Sequence, residues 1–120
     1  MTKRELTRLY YLDKEIEDER QRLAALEMTF APESELNATR RVIACKLEET
    51  EITRHRLLRE IMEIDDIFLR QIFLWRHVDL LTWAAIAVRI GGDNTPDSVR
   101  MAHDRYVRTH NAQSAQKPQD

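Results

Sequence analysis

The sequence predicts an all-α protein in which a long antiparallel helical hairpin, of the coiled-coil type, precedes a domain of three shorter helices. Glycine and proline are scarce, with two and three residues in 120, whereas charged residues make up 33%. Such a composition favours long helices over strands and turns. Apolar residues recur at three- and four-residue spacing over residues 1–64, and a shorter pattern with turn-forming residues follows over 65–110. Residues 111–120 are polar without periodicity and are expected to be disordered.

The first helix is predicted to begin almost at the first residue, because Thr2 and Glu5 form a T-x-x-E capping box. Its apolar seam has heptad spacing with one polar break, and consists of Leu9, Leu12, Ile16, Glu19, Leu23, Leu26 and Phe30. Pro32 ends this helix, since proline disfavours helix for the residue before it. Ser34 is expected to cap the helix that follows.

The second helix is predicted over about 35–64, with an apolar seam that is interrupted near its middle by Thr50 and Arg54. In an antiparallel hairpin, Glu19 and Arg54 are expected to form a cross-helix ion pair that fixes the register. Because two helices bury only one stripe each, the hairpin must pack against the C-terminal domain or pair with a second copy as a four-helix bundle. The long heptad seam favours the homodimer.

The third helix is predicted from about Asp66 to His77. Asp65 and Asp66 suit a helix N-terminus, both as caps and through the macrodipole. The residues between them and His77 are apolar over most of the helix circumference, so this helix is expected to be the most buried element.

The stretch from Thr82 to Arg108 has the pattern of a helix-turn-helix. Thr82 is a good N-cap, and Gly91 stands where a helix often ends in a left-handed residue. Thr95 caps the next helix, and Pro96 occupies its first position, where a missing N–H costs nothing. A helix that is held by its inner face and carries arginines outside can enter a major groove.

The inner face of this last helix is predicted to consist of Val99, Ala102 and Tyr106. The residues predicted to contact DNA are those of its cap and outer face: Thr95, Asp97, Ser98, Arg100, Met101, Asp104, Arg105 and Arg108. The alternative is a solvated surface with pairs four residues apart, such as Arg100 with Asp104.

Residues 76–91 (RHVDLLTWAAIAVRIG) resemble region 4 of bacterial sigma factors, and the match continues through Val99-Arg100. Leu80 stands where the turn of that family usually has glycine, and the central turn is longer than usual. The whole chain resembles small proteins encoded by phages and prophages of Gram-positive bacteria, in which a helical hairpin precedes a region-4-like domain and which are described as transcriptional regulators.

The resemblance implies a sequence-specific DNA-binding protein that regulates phage or prophage transcription in the bacterial cytoplasm. Its partners would be double-stranded DNA, a second copy of the chain and RNA polymerase. By the same resemblance, residues at the start of the recognition helix touch base edges. Arg100 is therefore expected to read guanine, and Arg105 and Arg108 to contact phosphates.

The sequence contains no motif that indicates an enzyme, a metal site or a cofactor. The four histidines lack ligand spacing, and there is no glycine-rich phosphate loop and no nucleophile elbow. No stretch is long and apolar enough for a membrane span. The single cysteine, Cys45, cannot form an internal disulfide, which fits a reduced cytoplasm, and is expected to be buried.

Two other functions remain open. A small terminase subunit for DNA packaging also joins a helix-turn-helix to an oligomerising coil, although it usually places the DNA-binding part first. A protein-binding module acting on RNA polymerase or a host defence protein is the other alternative. The charge keeps it open, because the whole chain has a net charge of −2 and residues 66–110 carry only six arginines against five aspartates.

Overall fold

The computed structural model describes residues 1–116, with side chains as far as Asn111. Over this range the chain forms five α-helices and no strand, which confirms the all-α class. The helices are α1 (Lys3–Met28), α2 (Glu33–Met62), α3 (Ile67–His77), α4 (Trp83–Ile90) and α5 (Pro96–Gln116).

Helix α1 begins with the predicted capping box. The Thr2 hydroxyl accepts from the Glu5 N–H at 3.1 Å, and the Glu5 carboxylate accepts from the Thr2 N–H at 3.2 Å. The helix ends in a Schellman motif, in which the Ala31 N–H donates to the Leu26 carbonyl at 3.0 Å and Phe30 is left-handed with φ 55°. The prediction that Phe30 belongs to the apolar seam is wrong, because Phe30 is 93% exposed.

Helix α2 starts one residue after Pro32, which occupies the N-cap position. The prediction that Ser34 caps this helix is wrong, because the N-terminus has no side-chain cap and Ser34 lies within the first turn. The proline ring holds φ at −57°. Its side chain has no oxygen that could accept a hydrogen bond, so α2 begins without a side-chain cap.

Ion pairs join α1 to α2 in antiparallel order: Glu5 with Arg56, Asp13 with Arg54, Glu15 with Lys46, and Glu27 with Arg40. The predicted pair of Glu19 with Arg54 is wrong. Glu19 lies ten residues before Thr29, whereas Arg54 lies 22 residues after Pro32. The two are therefore at different levels of the hairpin, and Glu19 pairs instead with Arg22 of its own helix at 3.0 Å.

Helix α3 is capped by Asp66, whose carboxylate accepts from the Leu69 N–H at 3.0 Å. The expectation that α3 is the most buried element is confirmed, because three of its eleven residues, Ile72, Phe73 and His77, are buried, against two of eight in α4, six of 30 in α2 and five of 26 in α1. Its apolar circumference is not buried throughout, however, since Ile67 is 73% exposed. The first turn of α3 has no neighbouring helix on its outward side, so its apolar residues there face solvent.

One apolar cluster joins the N-terminal helices to the C-terminal ones. It contains Met1, Leu6, Leu9, Leu57, Ile61, Ile64, Phe73 and Val107. This cluster crosses the predicted domain boundary at residue 64, so that α1 and α2 pack on α3 and α5 within one chain. Of the two partners that the sequence left open for the hairpin, the C-terminal domain is therefore in contact with it.

Helix α5 continues six residues past the predicted boundary at 110. The segment 111–116 contains alanine and glutamine, which are good helix formers, and no glycine or proline. The remainder of the predicted disordered tail, 117–120, lies outside the described residues. None of the described helices is long and apolar enough to cross a membrane. Cys45 is exposed on α2 rather than buried as expected.

Candidate nucleic-acid interface

Helices α3, α4 and α5 share a second apolar cluster, which positions the candidate interface. Its buried members are Ile72 of α3, Ile86 and Ala87 of α4, and Val99 of α5. Trp75, Leu81, Trp83 and Ile90 pack around them. Since Val99 is 2% exposed and lies one turn into α5, the opposite face of α5 is turned away from the cluster.

The turn from α3 to α4 is held by Arg76. Its guanidinium lies 3.6 Å from the ring centroid of Tyr10 and 4.3 Å from that of Trp83, and it donates to the Leu81 carbonyl at 3.0 Å. Burial lowers the pKa of Arg76 below its ordinary value. Leu80 in this turn has φ 58°, a left-handed conformation that glycine adopts at lower cost.

The turn from α4 to α5 follows the predicted chemistry. Gly91 and Gly92 have φ of 77° and 64°, and the Asn94 amide donates to the Gly91 carbonyl at 3.0 Å. The Thr95 hydroxyl accepts from the Ser98 N–H at 3.0 Å, while the Ser98 hydroxyl accepts from the Thr95 N–H at 2.9 Å. Thr95 and Ser98, two of the residues predicted to contact DNA, therefore have their side chains engaged in capping α5.

The remaining predicted site residues form what we call the outer face of α5: Asp97, Arg100, Met101, Asp104, Arg105 and Arg108. Five of them are exposed, and Asp104 is the exception. The Asp104 side chain is 18% exposed because Lys3, at the start of α1, lies against it with Nζ 3.1 Å from Oδ2. The outer face thus lies beside the first turn of the hairpin and is covered by it only at Asp104.

The arginines of the outer face differ in their ion pairing. Arg100 lies 3.5 Å from Asp97 and 3.9 Å from Asp104. These distances fit the solvated-surface alternative, and carboxylates so close offset part of the arginine charge. Arg105 and Arg108 are exposed and line a groove with Lys3.

The structure reveals a buried histidine pair that sequence reasoning missed. The Nε2 atoms of His77 and His103 lie 2.9 Å apart, and Phe73 stacks on the His103 ring with a centroid distance of 4.3 Å. On the other side of the ring, His103 Nδ1 lies 3.0 Å from Asp104 Oδ1. A chain of polar contacts therefore runs from α3 through α5 to Lys3 of α1.

The hydrogen bonds determine where the protons of this pair lie. A carboxylate only accepts, so His103 Nδ1 donates to Asp104, and the Nε2 of neutral His103 accepts from the Nε2–H of His77. Among the described residues, His77 Nδ1 has no partner. Burial, with lesser contributions from His103 and Arg76, lowers the pKa of His77 to about 3, and burial also lowers the pKa of His103.

Asp104 is the charged end of this chain. Burial works against its charge, but the hydrogen bonds from His103 and Lys3 outweigh burial and lower the pKa of the Asp104 carboxyl. One signal in the sequence could have placed His103 inside. It follows the inner-face residue Val99 by four positions, which is one helical turn.

In the part of the chain that the structure describes, no group of three or more His, Cys, Asp or Glu side chains is placed to hold a metal ion. Comparison of the chain with family models, with curated proteins and with solved structures found no match.

Proposed function

We propose that the protein binds double-stranded DNA in a sequence-specific manner, with α3–α5 acting as a helix-turn-helix and α5 as its recognition helix. The observation that carries this proposal is the outer face of α5, which is exposed while Val99, His103 and Val107 anchor the inner face. A helix held in this way can lie in the major groove, which is about 12 Å wide.

Within this proposal, Arg100 reads a base and Arg105 and Arg108 hold phosphates. Arg100 lies on the first turns of α5, the part that reaches base edges in a helix-turn-helix. Its carboxylate neighbours Asp97 and Asp104 hold the guanidinium near the helix until a guanine replaces them. Arg105 and Arg108 lie further along the helix and are exposed, as phosphate contacts need to be.

The wider role is regulation of phage or prophage transcription in the bacterial cytoplasm by a homodimer, with RNA polymerase as a further partner. It rests on the resemblance of residues 76–91 to sigma region 4. A dimer would double the arginines on the DNA, which offsets the modest charge of one chain. The interface would use surface that α1 and α2 leave free, since Leu57 and Ile61 are buried within the chain.

The proposal is tested by selecting bound sequences from a random pool of duplex DNA, with the mass in solution measured by light scattering. We expect an enriched motif, and for a dimer a palindrome with half-sites about one helical turn apart. The triple variant Arg100→Ala, Arg105→Ala, Arg108→Ala is the control and should enrich nothing. Absence of binding to any DNA at low salt would overturn the proposal, and a ring of eight or more subunits would favour the terminase alternative.

A second candidate, the protein-binding module, is favoured by the tip of the hairpin. Phe30 has a left-handed backbone and is 93% exposed, and Met28 beside it is also exposed. A left-handed backbone at a bulky residue motivates a functional hypothesis, and two neighbouring exposed apolar side chains make this tip a candidate contact for another molecule. Loss of binding to purified bacterial RNA polymerase in Phe30→Ser, with DNA binding unchanged, would support this function.

A further inference from the structure

A groove of about 230 Å³ separates the first turn of α1 from the outer face of α5. It is lined by Lys3, Met101, Asp104, Arg105, Val107 and Arg108. We propose that this groove holds a phosphate of the DNA backbone, and that Lys3 of the hairpin is a DNA contact together with Arg105 and Arg108. This inference rests on the proposed function and extends the DNA-binding surface to a residue outside the predicted helix-turn-helix.

The position of Lys3 is fixed by the packing of buried residues that precede and follow it in the chain. Met1 and Leu6 are buried in the same cluster as Phe73 and Val107, which holds the first turn of α1 against α5. The Thr2–Glu5 capping box orders the backbone of that turn. Lys3 is therefore held beside α5 by its neighbours, while its own side chain stays 63% exposed.

Charge favours an anion in this groove. Three cationic side chains, Lys3, Arg105 and Arg108, line it against the single carboxylate of Asp104. Asp104 holds the Lys3 ammonium at 3.1 Å and is itself held by His103 at 3.0 Å. An ammonium has three donors, so Lys3 can keep its contact with Asp104 and still donate to a phosphate oxygen.

The occupant is a backbone phosphate of the duplex because the groove adjoins the outer face of α5. Met101, Arg105 and Arg108 belong both to that face and to the groove wall. A duplex lying against α5 would thus bring one of its strands next to the first turn of α1. Lys3 thus adds a third cation beside Arg105 and Arg108 at one surface, although the chain as a whole has a net charge of −2.

The experiment measures DNA affinity of the full chain at several salt concentrations. Each phosphate neutralised by a cation contributes about 0.9 to the slope of log affinity against log salt. Lys3→Gln should make the slope shallower by about that amount, and Lys3→Arg should keep the wild-type slope. Between 50 and 200 mM salt, wild-type affinity should then fall about three- to fourfold more than that of Lys3→Gln.

Lys46→Gln is the matched control. Lys46 is also a lysine in an ion pair with a carboxylate, 3.4 Å from Glu15, but its pair lies twelve residues further along α1, about 18 Å from Lys3 at 1.5 Å per residue. If Lys3→Gln and Lys46→Gln both keep the wild-type slope, the phosphate site is wrong while the proposed function stands. If the wild type binds no DNA at low salt, both fail.

Discussion

The side chains of His77 and His103 meet in the interior between α3 and α5, with their Nε2 atoms 2.9 Å apart. His77 is the last residue of α3, and His103 is the immediate neighbour of Asp104, which contacts both Lys3 and Arg100. The pair therefore links α3 to α5, the helix that we propose for recognition. Because both rings are buried, their protonation affects the stability of this contact.

We expect the protein to lose stability as the pH falls below about 6.5. The pKa of folded His77 is lowered to about 3 from an ordinary value of 6.5, so the unfolded chain binds more protons than the folded chain within this window. The free energy of unfolding should then fall by about 1.4 kcal/mol for each pH unit and each such histidine. Urea unfolding between pH 7.5 and 5 measures the loss.

Two variants separate the histidine pair from other groups. His77→Gln keeps an N–H for His103 and does not titrate, so its stability should depend less on pH. His55→Gln is the control, because His55 is exposed on α2, and it should keep the wild-type dependence. The lowered pKa of Asp104 acts only below its ordinary value of 3.8, because only there does the unfolded chain bind a proton that the folded chain does not. Identical slopes in wild type and His77→Gln would contradict the assignment.

Phe30→Gly should stabilise the protein by about 0.5–1 kcal/mol. A left-handed conformation costs an L-residue about 1–2 kcal/mol, and glycine avoids this cost. Glycine also loses more conformational entropy on folding, which offsets part of the gain. Little packing is lost, because Phe30 is 93% exposed. Thermal or urea unfolding measures the gain. Phe30→Ala keeps the strain and should show none, and an equal gain in both variants would mean that strain is not the cause.

Asp13→Ala should destabilise the protein by about 2 kcal/mol. Asp13 is buried and pairs with Arg54, and its loss leaves the arginine without its partner. The effect should be below the 3–5 kcal/mol of a fully buried pair, since the Arg54 side chain is 38% exposed. Glu15→Ala removes a pair in which Glu15 is exposed and Lys46 half-buried, and should cost less than about 1 kcal/mol. Equal urea midpoints for the two variants would disprove the distinction.

Arg100→Ala and Arg105→Ala should weaken DNA binding in different ways. Arg100→Ala should relax the preference at one base position by about 1–3 kcal/mol, whereas Arg105→Ala should weaken all sequences about equally. A panel of single-base variants of the selected site measures both effects. Arg41→Ala, an exposed arginine in α2, is the control. Equal losses from Arg100→Ala and Arg105→Ala at every position would contradict the different roles proposed for them.

The sequence predicted the elements well where a local signal existed. Thr2, Asp66, Thr82 and Thr95 were each expected to cap a helix, and each accepts from the backbone N–H three residues further on. Such hydrogen bonds span few residues, so the pattern that forms them is readable in the chain itself. The prediction failed for Ser34, because the proline two residues before it occupies the cap.

The sequence alone determined the all-α class, the four hydroxyl or carboxylate caps and the glycine turn before α5, since each depends on neighbours in the chain. Only the tertiary structure decided that Asp13 rather than Glu19 pairs with Arg54, that His103 is buried against His77, and that Lys3 lies beside Asp104. These partners are 26 to 101 positions apart. Their contacts depend on how whole helices are placed against one another, which periodicity along one helix does not specify.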